Sequence, residues 1–220
     1  MAQPHVQTLA QPLAHGQPLA HGQPLAHGFA DPVHEGQAVF RAAMEALSRP
    51  GRLLPLVTTL MPPAPLTPEL AALALALADA DTPVWLDAPL RTDPAVAGFL
   101  RFHTGAPIVA EPAQAAFALI ADPGRCPAFT AFAQGSPAYP DASATLVLAV
   151  AALSDETGLA FEGPGIRGTA RLDAAPLPAD WPSRLAHNHA GFPQGLDLLF
   201  VAAGRLAALP RSARPLAPEA

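Results

Sequence analysis

The sequence predicts a three-layer α/β domain with a mixed sheet, and three observations carry that expectation. Helix-start signals with helical apolar spacing recur through the first half of the chain. Short apolar runs of strand length are interleaved with them and continue after them. One of these runs, Thr145 to Leu153, is apolar almost without interruption, as a strand covered on both faces should be. Helices on both sides of a sheet are the simplest way to cover such a strand. A length of 220 residues suits one ordinary domain, alone or with a tail. Half of the residues are apolar and 14% are charged, which is a globular balance.

The first 28 residues stand apart. Gln11–Gly16, Gln17–Gly22 and Gln23–Gly28 are three identical copies of Gln-Pro-Leu-Ala-His-Gly. A proline and a glycine in every six residues suit neither a helix nor a strand ladder, and three copies are too few to bury a core. A disordered extension over 1–28 is expected, in preference to a loose metal site on His15, His21 and His27. The domain then covers 29–214, and 215–220 form a flexible C-terminal tail.

Asp31-Pro32 reads as a helix start, with the aspartate as N-cap and proline in the first turn. Val33, Gln37, Phe40, Met44 and Leu47 follow at helical spacing until Arg49-Pro50-Gly51 stops the pattern. Leu53 to Leu60 suits a strand, placed at an edge or broken early by Pro55. Thr67-Pro68-Glu69 caps a second helix that is apolar on every face to about Ala78, so it should be buried on more than one side. Val84-Trp85-Leu86 is a short buried strand, and Asp93-Pro94 caps a third helix ended by Gly105. Phe117 to Ala121 reads as a strand, residues 122–142 as a loop holding a short helix, and Gly158 to Glu162 as a further strand. Asp180 to Ala190 suggests a helix. Leu196 to Ala202 and Leu206 to Leu209 suggest a closing hairpin around Gly204.

Composition removes whole classes of function. All 12 basic residues are arginine, so neither an internal aldimine with pyridoxal phosphate nor a Walker A lysine is possible. Cys126 is the only cysteine, which excludes an internal disulfide and zinc sites built on paired cysteines. A net charge of −6 argues against general nucleic-acid binding. The chain has no apolar run near the roughly 20 residues of a membrane span. It also lacks a secretory leader pattern, so a soluble cytoplasmic protein is expected.

Gly163-Pro164-Gly165-Ile166-Arg167-Gly168 formally matches a dinucleotide-binding fingerprint. Pro164 removes a donor, however, and Thr169 to Pro178 does not read as the helix that would meet a pyrophosphate. A structural turn is favoured, with Arg167 at its tip available to an anion. Asp79-Ala80-Asp81 resembles a two-carboxylate metal site, although such acids more often hold a turn. His187-Asn188-His189 reads as a helix end, because residues two apart on a helix point away from each other. His34 and His103 have no evident triad partner. Arg211, just past Leu209-Pro210, is placed to grip a phosphate or a partner's carboxylate, and an ordinary surface charge is the equal alternative.

An ordered set of segments resembles the PhnH family. It runs through Phe29-Ala30-Asp31-Pro32-Val33 with Gln37, Phe40, Arg41 and Met44, then Ser48-Arg49-Pro50-Gly51 and Leu77 to Leu86. Leu100 to Pro107, Ala144 to Leu148, Gly163 to Ile166, Phe192 to Asp197 and Ala208 to Arg211 complete it. The set covers about Phe29 to Arg214 and leaves the hexapeptide extension outside.

The resemblance implies a fold like the large domain of pyridoxal-phosphate transferases, in a form that has lost the cofactor. It implies a subunit of the carbon–phosphorus lyase system, acting with the G, I and L proteins. These make ribose 1-methylphosphonate 5-triphosphate from ATP and methylphosphonate, with release of adenine. A core complex with the G, I and J subunits is implied, as is a homodimer in isolation. The I subunit is credited with the glycosyl chemistry, which leaves an accessory role here.

No catalytic set carries over, and neither a resident cofactor nor a metal is expected. Arg211, Arg167 and Asp197 are the candidates for ligand or interface contacts, with ATP or a phosphonate as the ligand. Two other readings remain open: a self-sufficient nucleotide transferase using Asp79 and Asp81 with a metal, and a ligand sensor or assembly factor.

Overall fold

Four helices begin with one device, a short polar side chain that accepts an otherwise free amide of a first turn opened by proline. A computed structural model of the chain describes residues 25–217. Asp31 accepts from His34 N at 3.0 Å at the head of α1 (Pro32–Ser48), and Thr67 from Leu70 N at 3.3 Å at the head of α2 (Pro68–Leu77). Asp87 opens α3 (Ala88–Thr92), a short helix that the sequence reading passed over. Asp93 accepts from Ala95 N at 2.8 Å at the head of α4 (Pro94–Thr104), and Gly105, at φ +73°, ends it in the left-handed conformation. A fifth helix, α5 (Trp181–Ala190), is also opened by proline, but Asp180 makes no capping bond to it.

The strands are β1 (Leu54–Pro55), β2 (Val84–Leu86), β3 (Ile108–Val109), β4 (Phe117–Ile120), β5 (Thr145–Ala149), β6 (Ala152–Glu162), β7 (Ala170–Ala175), β8 (Asp197–Ala202), β9 (Arg205–Leu209) and β10 (Arg214–Pro215). Seven of them form one mixed sheet in the order β1-β9-β8-β5-β4-β2-β3. The strands from β3 to β8 run parallel, while β9 is antiparallel to both β8 and β1. Alternate residues of each strand enter two separate cores. Val84, Leu86, Leu119, Val147, Leu199 and Val201 pack with Leu70, Leu73, Phe99 and Leu100 of the helices. Trp85, Ile120, Leu146, Leu148, Leu198 and Phe200 pack on the other face with Phe129, Trp181, Leu185 and the hairpin residues Phe161 and Leu172. Burial of a side chain of this size contributes about 1.5–3 kcal/mol, so the doubly covered strands anchor the domain.

The expected α/β class and large mixed sheet are both present. Several details differ. The apolar run Thr145 to Leu153 is two strands, because β5 ends at Ala149 and Ala152 opens β6 in a separate antiparallel sheet of order β10-β6-β7. β5 feeds both cores, and Val150 and Leu153 continue along the second one, so the run stays apolar across the change of sheet and continuity alone does not reveal it. Leu53 to Leu60 contributes only Leu54–Pro55, on the edge, where a missing amide is tolerated. Residues 122–142 hold three single 3₁₀ turns instead of one helix, since Pro123, Pro127, Pro137 and Pro140 interrupt any longer ladder.

The helical spacing is present, but the outward face of α1 carries much of the apolar stripe. Val33, Phe40 and Met44 are 62%, 48% and 49% exposed, whereas Val39, Ala43 and Ala46 are buried. The buried stripe is small, which lets α1 approach α2, whose own Ala71, Ala72 and Ala74 are buried. Close packing of two alanine-rich helices therefore won over burial of the larger side chains.

Of the expected extension, residues 1–24 lie outside the described residues, as do 218–220 of the tail. The end of the third hexapeptide rests on α4, where His103 Nε2 meets Ala26 O at 2.9 Å. Beyond Arg214, Pro215 belongs to β10, and Leu216 N donates to Ala160 O at 2.8 Å. Among the described residues, no helix is long and apolar enough to cross a membrane.

Candidate functional site

Two turns that the sequence singled out meet face to face. The first, Arg49-Pro50-Gly51-Arg52, carries the chain from α1 into β1, and Gly51 N donates to Ala208 O at 3.0 Å. The second, Gly163 to Gly168, joins β6 to β7; no helix follows it, so it is a turn and not a dinucleotide loop. Contact between them requires glycine. Gly165 has φ +82°, and a Cβ there would lie 2.2 Å from Ser48 O. Gly51 has φ +80°, and a Cβ would lie 3.2 Å from Arg171 O.

The interlocked turns and the start of β7 border an open, solvent-facing cavity of about 620 Å³. Arg49, Arg52, Arg167 and Arg171 line it, and Asp155 is the only acid in the lining. That carboxylate accepts from Leu53 N at 3.3 Å, so it also holds the entry to β1. Arg49 reaches Glu45 at 3.6 Å in an exposed pair, which contributes little. Arg171 Nη1 donates to Gly158 O at 3.3 Å. Among the described residues, the side chains of Arg52 and Arg167 make no hydrogen bond or ion pair, and both are exposed. Four guanidinium groups around a single carboxylate that is already engaged by Leu53 N suit the holding of an anion.

Arg167 is thus brought into a basic cavity, while Arg211 and Asp197 are brought to each other. Asp197 opens β8, and Arg211 follows β9. Arg211 Nη2 donates to Asp197 Oδ2 at 2.6 Å, and its Nε and backbone N donate to Oδ1 at 3.2 and 2.9 Å. Nη1 donates to Pro140 O, and at 3.5 Å to Pro193 O. Their side chains are only 15% and 20% exposed. An anion would have to displace this network to reach Arg211, and neither residue lines the basic cavity.

The remaining motifs resolve into structural contacts. Asp79 Oδ1 accepts from Asp81 N at 3.0 Å and from Thr82 Oγ1 at 2.9 Å, closing the turn before β2. Asn188 is buried and clamps the approach to β8, since its amide donates to Leu196 O at 2.9 Å and its Oδ1 accepts from Leu196 N at 2.8 Å. His187 Nδ1 lies 2.7 Å from Ser183 O, one helical turn back. Among the described residues, no three His, Cys, Asp or Glu side chains gather as metal ligands.

Two groups escaped sequence reading. Asp87 is 6% exposed and accepts from Ala121 N and Asp122 N at 2.8 Å each, besides capping α3. Burial pushes its carboxyl above the ordinary aspartate range, and the backbone donors oppose that rise. The signal was present in Asp87-Ala88-Pro89, the same kind of cap that marks the other helices. Arg52 and Arg171 had no such signal, because only the fold sets them beside Arg49 and Arg167. Cys126 is buried, and desolvation pushes its thiol up to about 12, so it is no nucleophile at neutral pH.

The sequence profile of a family described as "Bacterial phosphonate metabolism protein (PhnH)" matches residues 27–215. A protein of Rhizobium meliloti (strain 1021), named alpha-D-ribose 1-methylphosphonate 5-triphosphate synthase subunit PhnH, is 40% identical over 186 residues. The aligned region covers 84% of this chain and 92% of that protein. Both turns of the basic cavity lie inside the span matched by the family.

Proposed function

The chain belongs to the PhnH family of bacterial phosphonate metabolism proteins, and from that premise we propose that it is a subunit of an α-D-ribose 1-methylphosphonate 5-triphosphate synthase. In this reading it works in the cytoplasm with G, I and L proteins to move the ribose 5-triphosphate part of ATP onto methylphosphonate. The bond from ribose to adenine breaks, a ribose–phosphonate ester forms, and adenine leaves. The chain also takes its place beside G, I and J proteins in a carbon–phosphorus lyase core complex, and is a homodimer when isolated.

The observation that carries the reading is 40% sequence identity to the Rhizobium meliloti subunit across 92% of that protein. The exposed stripe Val33, Phe40 and Met44 on α1 supports it, since large apolar side chains in a row on a surface suit a subunit that is covered on assembly. We read the fold as kin to the large domain of pyridoxal-phosphate transferases without their cofactor. A mixed sheet covered on both faces and a sequence without lysine support that kinship.

Co-expression of the tagged chain with G, I, J and L proteins tests the proposal. The chain should copurify with them, and methylphosphonate-dependent release of adenine from ATP should require it. If it never associates and activity is the same without it, the proposal fails. Release of adenine by the chain alone would establish the self-sufficient transferase instead.

A further inference from the structure

We propose that the cavity between the α1–β1 turn and the β6–β7 turn is a binding site for an organic triphosphate, held through Arg49, Arg52, Arg167 and Arg171. This rests on the synthase reading, in which both the nucleotide substrate and the ribosyl product carry a triphosphate.

Charge distribution is the first argument. The protein carries a net charge of −6, yet four of its 12 cationic side chains line one cavity that contains a single carboxylate. That carboxylate is engaged by Leu53 N. The C-terminal dipole of α1 and Glu45 account for Arg49, which lies one residue past Ser48. Among the described residues, no comparable partner accounts for Arg52 or Arg167, and Arg171 spends one donor on Gly158 O.

Size and rigidity are the second. A cavity of about 620 Å³ falls within the roughly 300–1,000 Å³ of sites for nucleotide-sized ligands. One phosphonate group would occupy one or two guanidinium forks, whereas a chain of three phosphoryl groups engages all four. The α1–β1 turn is braced on two sides, with Gly165 of the β6–β7 turn over Ser48 O and Gly51 over Arg171 O at the start of β7. The cationic groups are thereby presented from backbone that is already ordered, which lowers the cost of binding.

Titration calorimetry on the full chain tests the site, with inorganic tripolyphosphate, ATP, AMP and methylphosphonate as probes at low and moderate salt. Tripolyphosphate and ATP should bind with similar affinity and lose it as salt rises. AMP and methylphosphonate should bind at least about tenfold more weakly, since they offer fewer anionic centres. The double variant Arg52→Gln, Arg167→Gln should weaken triphosphate binding by about tenfold or more. Arg91→Gln, outside the cavity, should leave it unchanged. These arginines are exposed, and an unaltered melting temperature will show that the variants fold; single Arg167→Gln, at a turn tip, serves as a second variant.

The site is refuted if neither triphosphate binds, or if both bind the double variant as well as the wild type. It is equally refuted if ATP binds and tripolyphosphate does not, because the nucleoside would then be the part recognised. A chain that joins its partners but gives any of these results loses the site alone. A chain that fails to join them loses the synthase reading, whatever the titration shows.

Discussion

Breaking the Asp197–Arg211 pair tests whether these two residues are a structural clamp. Arg211 directs four donors, its own amide included, at Asp197 and the carbonyls of Pro140 and Pro193, so it ties β8, the segment after β9 and two loops together. Removing one partner of a fully buried ion pair costs about 3–5 kcal/mol, because the other charge is stranded. With side chains 15% and 20% exposed, water solvates part of the stranded guanidinium, and the cost of Asp197→Ala falls to about 2–3 kcal/mol. Arg211→Ala should cost less, about 1.5–2.5 kcal/mol, since the amide of residue 211 still serves the carboxylate.

A domain of this size loses about 2–4 °C in Tm for each kcal/mol, so Asp197→Ala should lower Tm by about 4–12 °C. Urea titration of both single variants and the double variant closes a thermodynamic cycle, with a coupling of about 1–2 kcal/mol expected. A coupling below about 0.5 kcal/mol would refute the clamp. So would Arg211→Lys if it kept full stability while abolishing triphosphate binding, because the guanidinium would then serve a ligand and not the fold.

The other expectations concern the cap, the thiol and the outer face of α1. Asp31 has its carboxyl held below the usual aspartate value by the His34 backbone amide first and the His34 side chain second. Its contribution to stability is therefore present above the unfolded value near 3.8 and is lost as pH falls through the lower folded value. Asp31→Ala should lower Tm by about 2–4 °C at neutral pH, and thermal melts should show the difference shrinking below pH 3.8. Cys126 should resist iodoacetamide in the folded protein near pH 8 and react fully in urea, as read by mass spectrometry; rapid native labelling would contradict its burial. Phe40→Ser with Met44→Ser should change Tm by no more than about 2–4 °C. The same pair should sharply reduce copurification with partner subunits, and undiminished recovery would remove α1 from the interface.

Local chemistry made much of the fold legible. Asp31-Pro32, Thr67-Pro68 and Asp93-Pro94 cap helices where their residue types say they should, because a cap is settled within about four residues. The hairpin around Gly204 was readable for the same reason, with Gly204 at φ +76° between β8 and β9. The face that α1 buries was not readable. Val33, Phe40 and Met44 share helical spacing with a core stripe, yet the choice fell to the closeness that alanines permit against α2.

The candidate site divides along the same line. Ser48-Arg49-Pro50-Gly51 and Gly163 to Gly168 stood out as segments, and Arg167 and Arg211 as single residues, on the sequence alone. Arg211 is bound to Asp197, 14 residues away in the chain, whereas Arg167 faces Arg49 and Arg52 only because turns more than 100 residues apart are brought together. By itself the sequence determined the class of fold, the caps, the kin of the chain and the absence of lysine chemistry, since each follows from residue type and short-range order. Only the tertiary structure decided which arginines are spent inside the protein and which face an open cavity, because that is settled by which distant turns the two glycines allow to touch.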